Sequence, residues 1–124
     1  MNNSGAGSRM GKLTTHVLDT ASGQPAAAVV VRVYRVAAER QLLATMQTGK
    51  DGRTGQPLLE GHSFTGGEYE LEFDIGDYFA AHQTALADPP FLGTVVIRVS
   101  LLSGEHYHVP LLASPWSYST YRGS

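Results

Sequence analysis

The segment EYELEF, Glu68 to Phe73, alternates without interruption: Tyr69, Leu71 and Phe73 fall on one side, Glu68, Glu70 and Glu72 on the other. Successive side chains of an extended chain point to opposite faces, so this segment predicts a strand with one dry and one wet face. AVVVRVYRV (Ala28 to Val36) and TVVIRVSL (Thr94 to Leu101) are rich in β-branched residues and interrupted by arginine, as expected for strands with a core side. KLTTHVLD, RQLLATMQT, HYHVPLLA and WSYSTYR complete the strands, and LLEG adds a short edge piece. The turn residues of ASGQP, GKDGRTGQP, TGG, DPP and SP separate these runs. Only DIGDYFAAHQTAL lacks alternation. There Asp74, followed by Asp77, reads as an N-cap opening a short helix that Asp88, Pro89 and Pro90 close. Seven to eight strands and one helix predict an all-β, two-sheet β-sandwich built as a single domain over residues 10–124. Residues 1–9, poor in apolar side chains, read as a disordered leader.

Charge and composition narrow the partners. Nine Lys and Arg against eleven Asp and Glu give a formal charge of −2, which supplies no basic stripe for nucleic acid or an anionic membrane. No apolar run approaches the roughly 20 residues of a membrane span, and MNNSGAGSRM lacks the apolar core of a secretory signal, so a cytoplasmic location is expected. With 0 cysteines, a disulfide framework, a thiolate nucleophile and a cysteine zinc site are excluded. Chemistry falls to histidine, arginine and hydroxyl side chains.

In a strand, His106 and His108 share one face about 7 Å apart, with Tyr107 opposite. The pair reads as a general base, as half of a metal site needing a further ligand from His16, His62 or His82, or as two ordinary rim histidines. His16 interrupts the apolar and threonine-rich LTTHVLD, where a catalytic and a hydrogen-bonded structural histidine fit equally. His62 and His82 read as surface residues. Arg53 follows the Lys50-Asp51-Gly52 turn, where a guanidinium is either solvated or fixed to bind a carbonyl or anion. The final Tyr121, Arg122, Gly123 and Ser124 combine a donor-rich cation, a flexible glycine and a hydroxyl, a set suited to a polar pocket. No Gly-x-Ser-x-Gly elbow, phosphate loop or dinucleotide fingerprint is present.

THVLDTASGQPAAAVVV near the start and HYHVPLLASPWSYSTYRGS at the end resemble the transthyretin-like family, and within it the hydrolase branch, over Lys12 to Ser124. That resemblance implies a transthyretin-like sandwich assembled as a homotetramer, with sites where two dimers meet. It implies the small-molecule substrate 5-hydroxyisourate, hydrolysed at its cyclic amide without metal or other cofactor, in urate degradation. The family's catalytic positions fall on His16, Arg53, His108 and Ser124, and its substrate-binding positions on Tyr121, Arg122 and Gly123, with His106 in support. A carrier of small aromatic ligands shares the fold, so the site residues have to distinguish the two functions.

Overall fold

Gly67–Phe73, the segment with the cleanest alternation, lies in the interior of the larger sheet, and Tyr69, Leu71 and Phe73 are wholly buried. The computed structural model describes residues 11–82 and 87–123. In chain order the strands are β1 Lys12–Thr14, β2 Val17–Asp19, β3 Gln24–Pro25, β4 Val30–Val36, β5 Arg40–Gln47, β6 Leu59–Glu60 and β7 Gly67–Phe73, followed by the helix α1 Ile75–His82. β8 Val95–Leu101, β9 His106–His108, β10 Leu111–Ala113 and β11 Tyr118–Thr120 complete the chain. The larger sheet has the order β5-β4-β7-β8, antiparallel throughout, with β4 and β7 in register from Val31↔Phe73 to Val36↔Glu68.

The outer face of this sheet is an ionic lattice across strands. Arg32 reaches Glu72 at 3.0 Å and Asp74 at 2.5 Å, Arg40 pairs with Glu70 and Glu72, and Arg98 pairs with Glu68 at 2.9 Å. Burial pushes the Glu72 carboxyl up, but Arg32 and Arg40 more than offset this and hold it below its usual value. Asp74 is used differently from its expected role as a cap: it does precede α1, but its carboxylate accepts from Arg32 and Thr94. The helix runs over Ile75–His82; the remainder of the expected helix, at 83–86, lies outside the described residues.

The second layer consists of two smaller sheets, β6-β1-β9 and β11-β10-β2-β3. Two segments expected as single strands are each split, KLTTHVLD at Thr15 and His16, HYHVPLLA at Val109 and Pro110. Residues 94 apart pair in parallel on both sides of the split, as Thr14↔His108 and Val17↔Leu111 show, so register is kept across it. Leu13, Val17, Tyr107, Val109 and Leu111 point inward from this layer to meet Tyr69, Leu71 and Phe73 in one core. Burying a side chain of the size of Leu71 or Phe73 contributes on the order of 1.5–3 kcal/mol. Phe64 links the layers, edge-on to Tyr69 at 6.3 Å and tilted against Tyr107 at 6.1 Å.

Helix α1 buries Ile75, Tyr78 and Phe79, the spacing of one helical face. The Tyr78 hydroxyl donates to the buried Asp19 carboxylate at 2.9 Å, while the Ala21 and Ser22 amides donate to its other oxygen. Burial raises the Asp19 carboxyl, but these bonds outweigh it and hold the group below its ordinary 3.8. The ionised form is therefore favoured by folding, a contribution present above 3.8 and lost as pH falls through the lower folded value. Replacing Tyr78 by Phe is expected to cost about 1–3 kcal/mol at neutral pH. The penalty should shrink as Asp19 titrates in acid, and denaturant midpoints of variant and wild type across pH measure both.

Candidate active site

The strand pairing lapses between β1 and β2 at Thr15 and His16, and between β9 and β10 at Val109 and Pro110. The gap is bridged locally: Val109 N–H donates to the Thr14 carbonyl at 2.9 Å, the buried Thr15 hydroxyl donates to the Val109 carbonyl at 2.7 Å, and Leu111 N–H donates to the His16 carbonyl at 2.9 Å. His16 itself pairs across to Arg53 as an isolated antiparallel bridge. Val17 N–H donates to the Gly52 carbonyl at 2.8 Å, and the turn closes through Gly52 N–H to Gly49 O at 2.9 Å and Arg53 N–H to Asp51 Oδ1 at 3.0 Å. Gly52 has φ +78°, and a Cβ there would stand 2.4 Å from the Val17 carbonyl and 3.0 Å from His16 Cδ2. Only glycine lets this turn approach so closely, and the approach sets Arg53 beside His16.

His108 closes β9, half-buried, and meets Gly123 in a second isolated bridge, with Gly123 N–H to His108 O at 2.6 Å and His108 N–H to Gly123 O at 3.0 Å. A Cβ on Gly123 would lie 3.1 Å from His108 Cβ, so the terminal segment packs directly on the imidazole-bearing residue. His108 Nδ1 lies 2.9 Å from Thr14 Oγ1, and the same hydroxyl points at the Tyr107 carbonyl at 3.4 Å. With the hydroxyl proton on that carbonyl, Nδ1–H donates to Thr14 and Nε2 is the basic nitrogen of His108; with it on Nδ1 the tautomer is reversed. Burial first, then the Arg53 and His16 charges, push the His108 pKa below its ordinary 6.5. The neutral imidazole therefore predominates at pH 7. His16 Nε2 is buried and has no hydrogen-bond partner among the described residues, an arrangement that costs about 1–3 kcal/mol unless a ligand or neighbouring group meets it.

His16, Arg53 and His108 are thus brought together, with Gly123 against His108. Arg122 is turned away from them: its guanidinium stacks 4.7 Å over the ring of Tyr107, on the opposite face of β9 from His106 and His108, and reaches Glu105 and the His106 carbonyl, each at 3.4 Å. Tyr121 is exposed, Ser124 lies outside the described residues, and so does the leader at residues 1–9. His62 and His82 stand apart, His62 exposed in a 3₁₀ turn, His82 exposed and stacked on Tyr78 at 4.2 Å. No group of three or more His, Asp, Glu or Cys suited to a metal occurs among the described residues. Thr14 is the site residue that the sequence reading passed over. Its signal was available, since alternation from His16 puts it on the same face.

The sequence profile described as HIUase/Transthyretin family matches residues 13–123. The chain belongs to the HIUase/transthyretin family. A family member named 5-hydroxyisourate hydrolase, from Ralstonia nicotianae, is 51% identical over 117 residues, covering 93% of this chain and 100% of the relative. The crystal structure of (S)-allantoin synthase superposes with a TM-score of 0.88 at 45% identity, over 93% of this chain. That match takes up 44% of the synthase chain, so this chain spans less than half of it. Sea bream transthyretin in complex with thyroxine superposes with a TM-score of 0.81 at 28% identity, over 90% of this chain and 94% of that one. The family fold thus accommodates proteins named for different functions, and its side chains at the split have to tell them apart.

The electrostatics of the site carry a direct test. In an NMR titration the His108 ring protons should shift with a midpoint below 6.5. Arg53→Gln removes a cation that opposes protonation, so the midpoint should rise; an unmoved midpoint would separate the two residues.

Proposed function

We propose that this chain hydrolyses the cyclic amide of 5-hydroxyisourate, the unstable product of urate oxidation, with His108 as general base. Besides the 51%-identical relative of that name, the observation that carries the reading is a half-buried histidine kept neutral beside Arg53 and His16 and held through Nδ1 by Thr14. Water attacks the ring carbonyl as its proton passes to His108 Nε2. The tetrahedral oxyanion then collapses, the C–N bond breaks, and His108 returns the proton to the leaving nitrogen. Water is thereby split between a new carboxylate and a ureido N–H.

Arg53 has two effects in this scheme. Its positive charge stabilises the oxyanion, and the same charge lowers the pKa of the base. The unpartnered Nε2 of His16 is left to hold the water or the substrate carbonyl. Gly123 brings the final segment against His108 so that the Ser124 hydroxyl can contact the reacting centre, and Tyr121 lies on the same segment as a substrate contact. Arg122 braces this segment through Tyr107 and Glu105. No metal takes part in the scheme, so chelator-treated protein should keep its rate.

The working unit in this reading is a homotetramer with sites where dimers meet. It is supported by β8 and β11, which end their sheets and carry exposed Val96 and Tyr118, with Trp116 and Tyr121 flanking β11. Exposed apolar side chains beside open sheet edges favour association with further copies. A noncatalytic carrier, as in the thyroxine-bound relative, would make no use of a neutral base at this position.

Generating the substrate with urate oxidase and following its ultraviolet decay tests the function: the chain should accelerate the decay well beyond the spontaneous rate. His108→Asn should lose about 10²- to 10⁴-fold in kcat while keeping its fold, and an undiminished rate would remove His108 from the mechanism. Thr14→Val, which forfeits a hydrogen bond worth about 1 kcal/mol, should slow turnover roughly fivefold. Thr14→Ser should restore it, and the acid limb of kcat/KM should lie below pH 6.5 in the wild type.

A further inference from the structure

Two residues outward from Thr14 and His108, Lys12 and His106 are partners in the parallel register of β1 and β9. Two steps along a strand is about 7 Å, and residues two apart share a face, so Lys12, Thr14, His106 and His108 line one continuous strip. A cavity of about 390 Å³ opens on it, lined by Lys12, Thr14, His106 and Tyr107. Thr14 is common to this cavity and to the His108 hydrogen bond, so the cavity adjoins the reacting centre directly. On its other side Lys12 is in register with Glu60.

We propose that Lys12 and His106 form a carboxylate subsite that takes the acidic group of a small ring-derived ligand next to His108. The inference rests on the hydrolase reading. Hydrolysis of a cyclic amide converts a neutral carbonyl into a carboxylate, so the product carries a charge at a place where the substrate has none. That charge forms beside His108, and once the ring is open the product can shift about 7 Å along the strip so that its carboxylate meets the Lys12 ammonium, which attracts the anion, and the His106 imidazole, which adds a directed N–H. Neither residue touches the bond that breaks. Both are therefore positioning residues, acting on binding and on departure of the product.

Orotate, a stable ring carboxylate, and uracil, its uncharged parent, probe the subsite without turnover. Calorimetry on the full chain should find orotate bound at least tenfold more tightly than uracil. Lys12→Gln and His106→Gln should each reduce that preference severalfold, most of all together. In the decay assay the same variants should weaken inhibition by orotate. Equal binding of orotate and uracil by the wild type, or an undiminished preference in the double variant, would overturn the subsite. A wild type that binds orotate selectively yet leaves the decay of 5-hydroxyisourate unaccelerated would instead sink the hydrolase reading and leave the anion site standing.

Discussion

The break that divides β1 from β2 and β9 from β10 shapes this molecule more than any single contact. A parallel pair of strands otherwise continuous from Lys12 to Asp19 is interrupted there, and the Thr15 hydroxyl donates to the Val109 carbonyl across the break. Because register is the same above and below, the lapse costs the core nothing: Leu13, Val17, Tyr107 and Leu111 still point inward. At the break His16 pairs on its other edge with Arg53, and the turn that carries Arg53 approaches so closely that residue 52 has room for no side chain. A backbone irregularity in the middle of an ordinary sheet thus gathers side chains from three distant parts of the sequence.

The gathered groups are tuned by one another. In a half-buried place, burial and then the neighbouring Arg53 and His16 disfavour protonation of His108. Thr14 engages its Nδ1. The same crowding that disfavours protonation of His108 holds a permanent cation beside it, and the proposed hydrolysis uses both.

Much of this was legible in the sequence because strand alternation is a strong local signal. EYELEF, AVVVRVYRV and TVVIRVSL became β7, β4 and β8, and the helix began at Ile75 as placed. What escaped was non-local. KLTTHVLD looks like one strand in isolation, yet it is divided at Thr15 and His16, opposite the break in its parallel partner. Asp74 has the chemistry of a helix cap, but Arg32, 42 residues away, claims its carboxylate. Arg122 belongs to a motif of polar side chains, and the motif does not disclose that the aromatic face of Tyr107 draws the guanidinium to the other side. Thr14 was passed over because threonine in a strand is unremarkable until a histidine nitrogen is found 2.9 Å away.

The lattice on the larger sheet has a further consequence. Four carboxylates, Glu68, Glu70, Glu72 and Asp74, are held there against three guanidiniums, on the surface opposite to the one that presents His16 and His108. Lys12 and Arg53 stand on that second surface, with Glu60 beside Lys12. Among these groups the outer face of the larger sheet carries one more carboxylate than guanidinium. An anion diffusing nearby would be turned away from that face, and this bias would fade as added salt shortens the reach of the field.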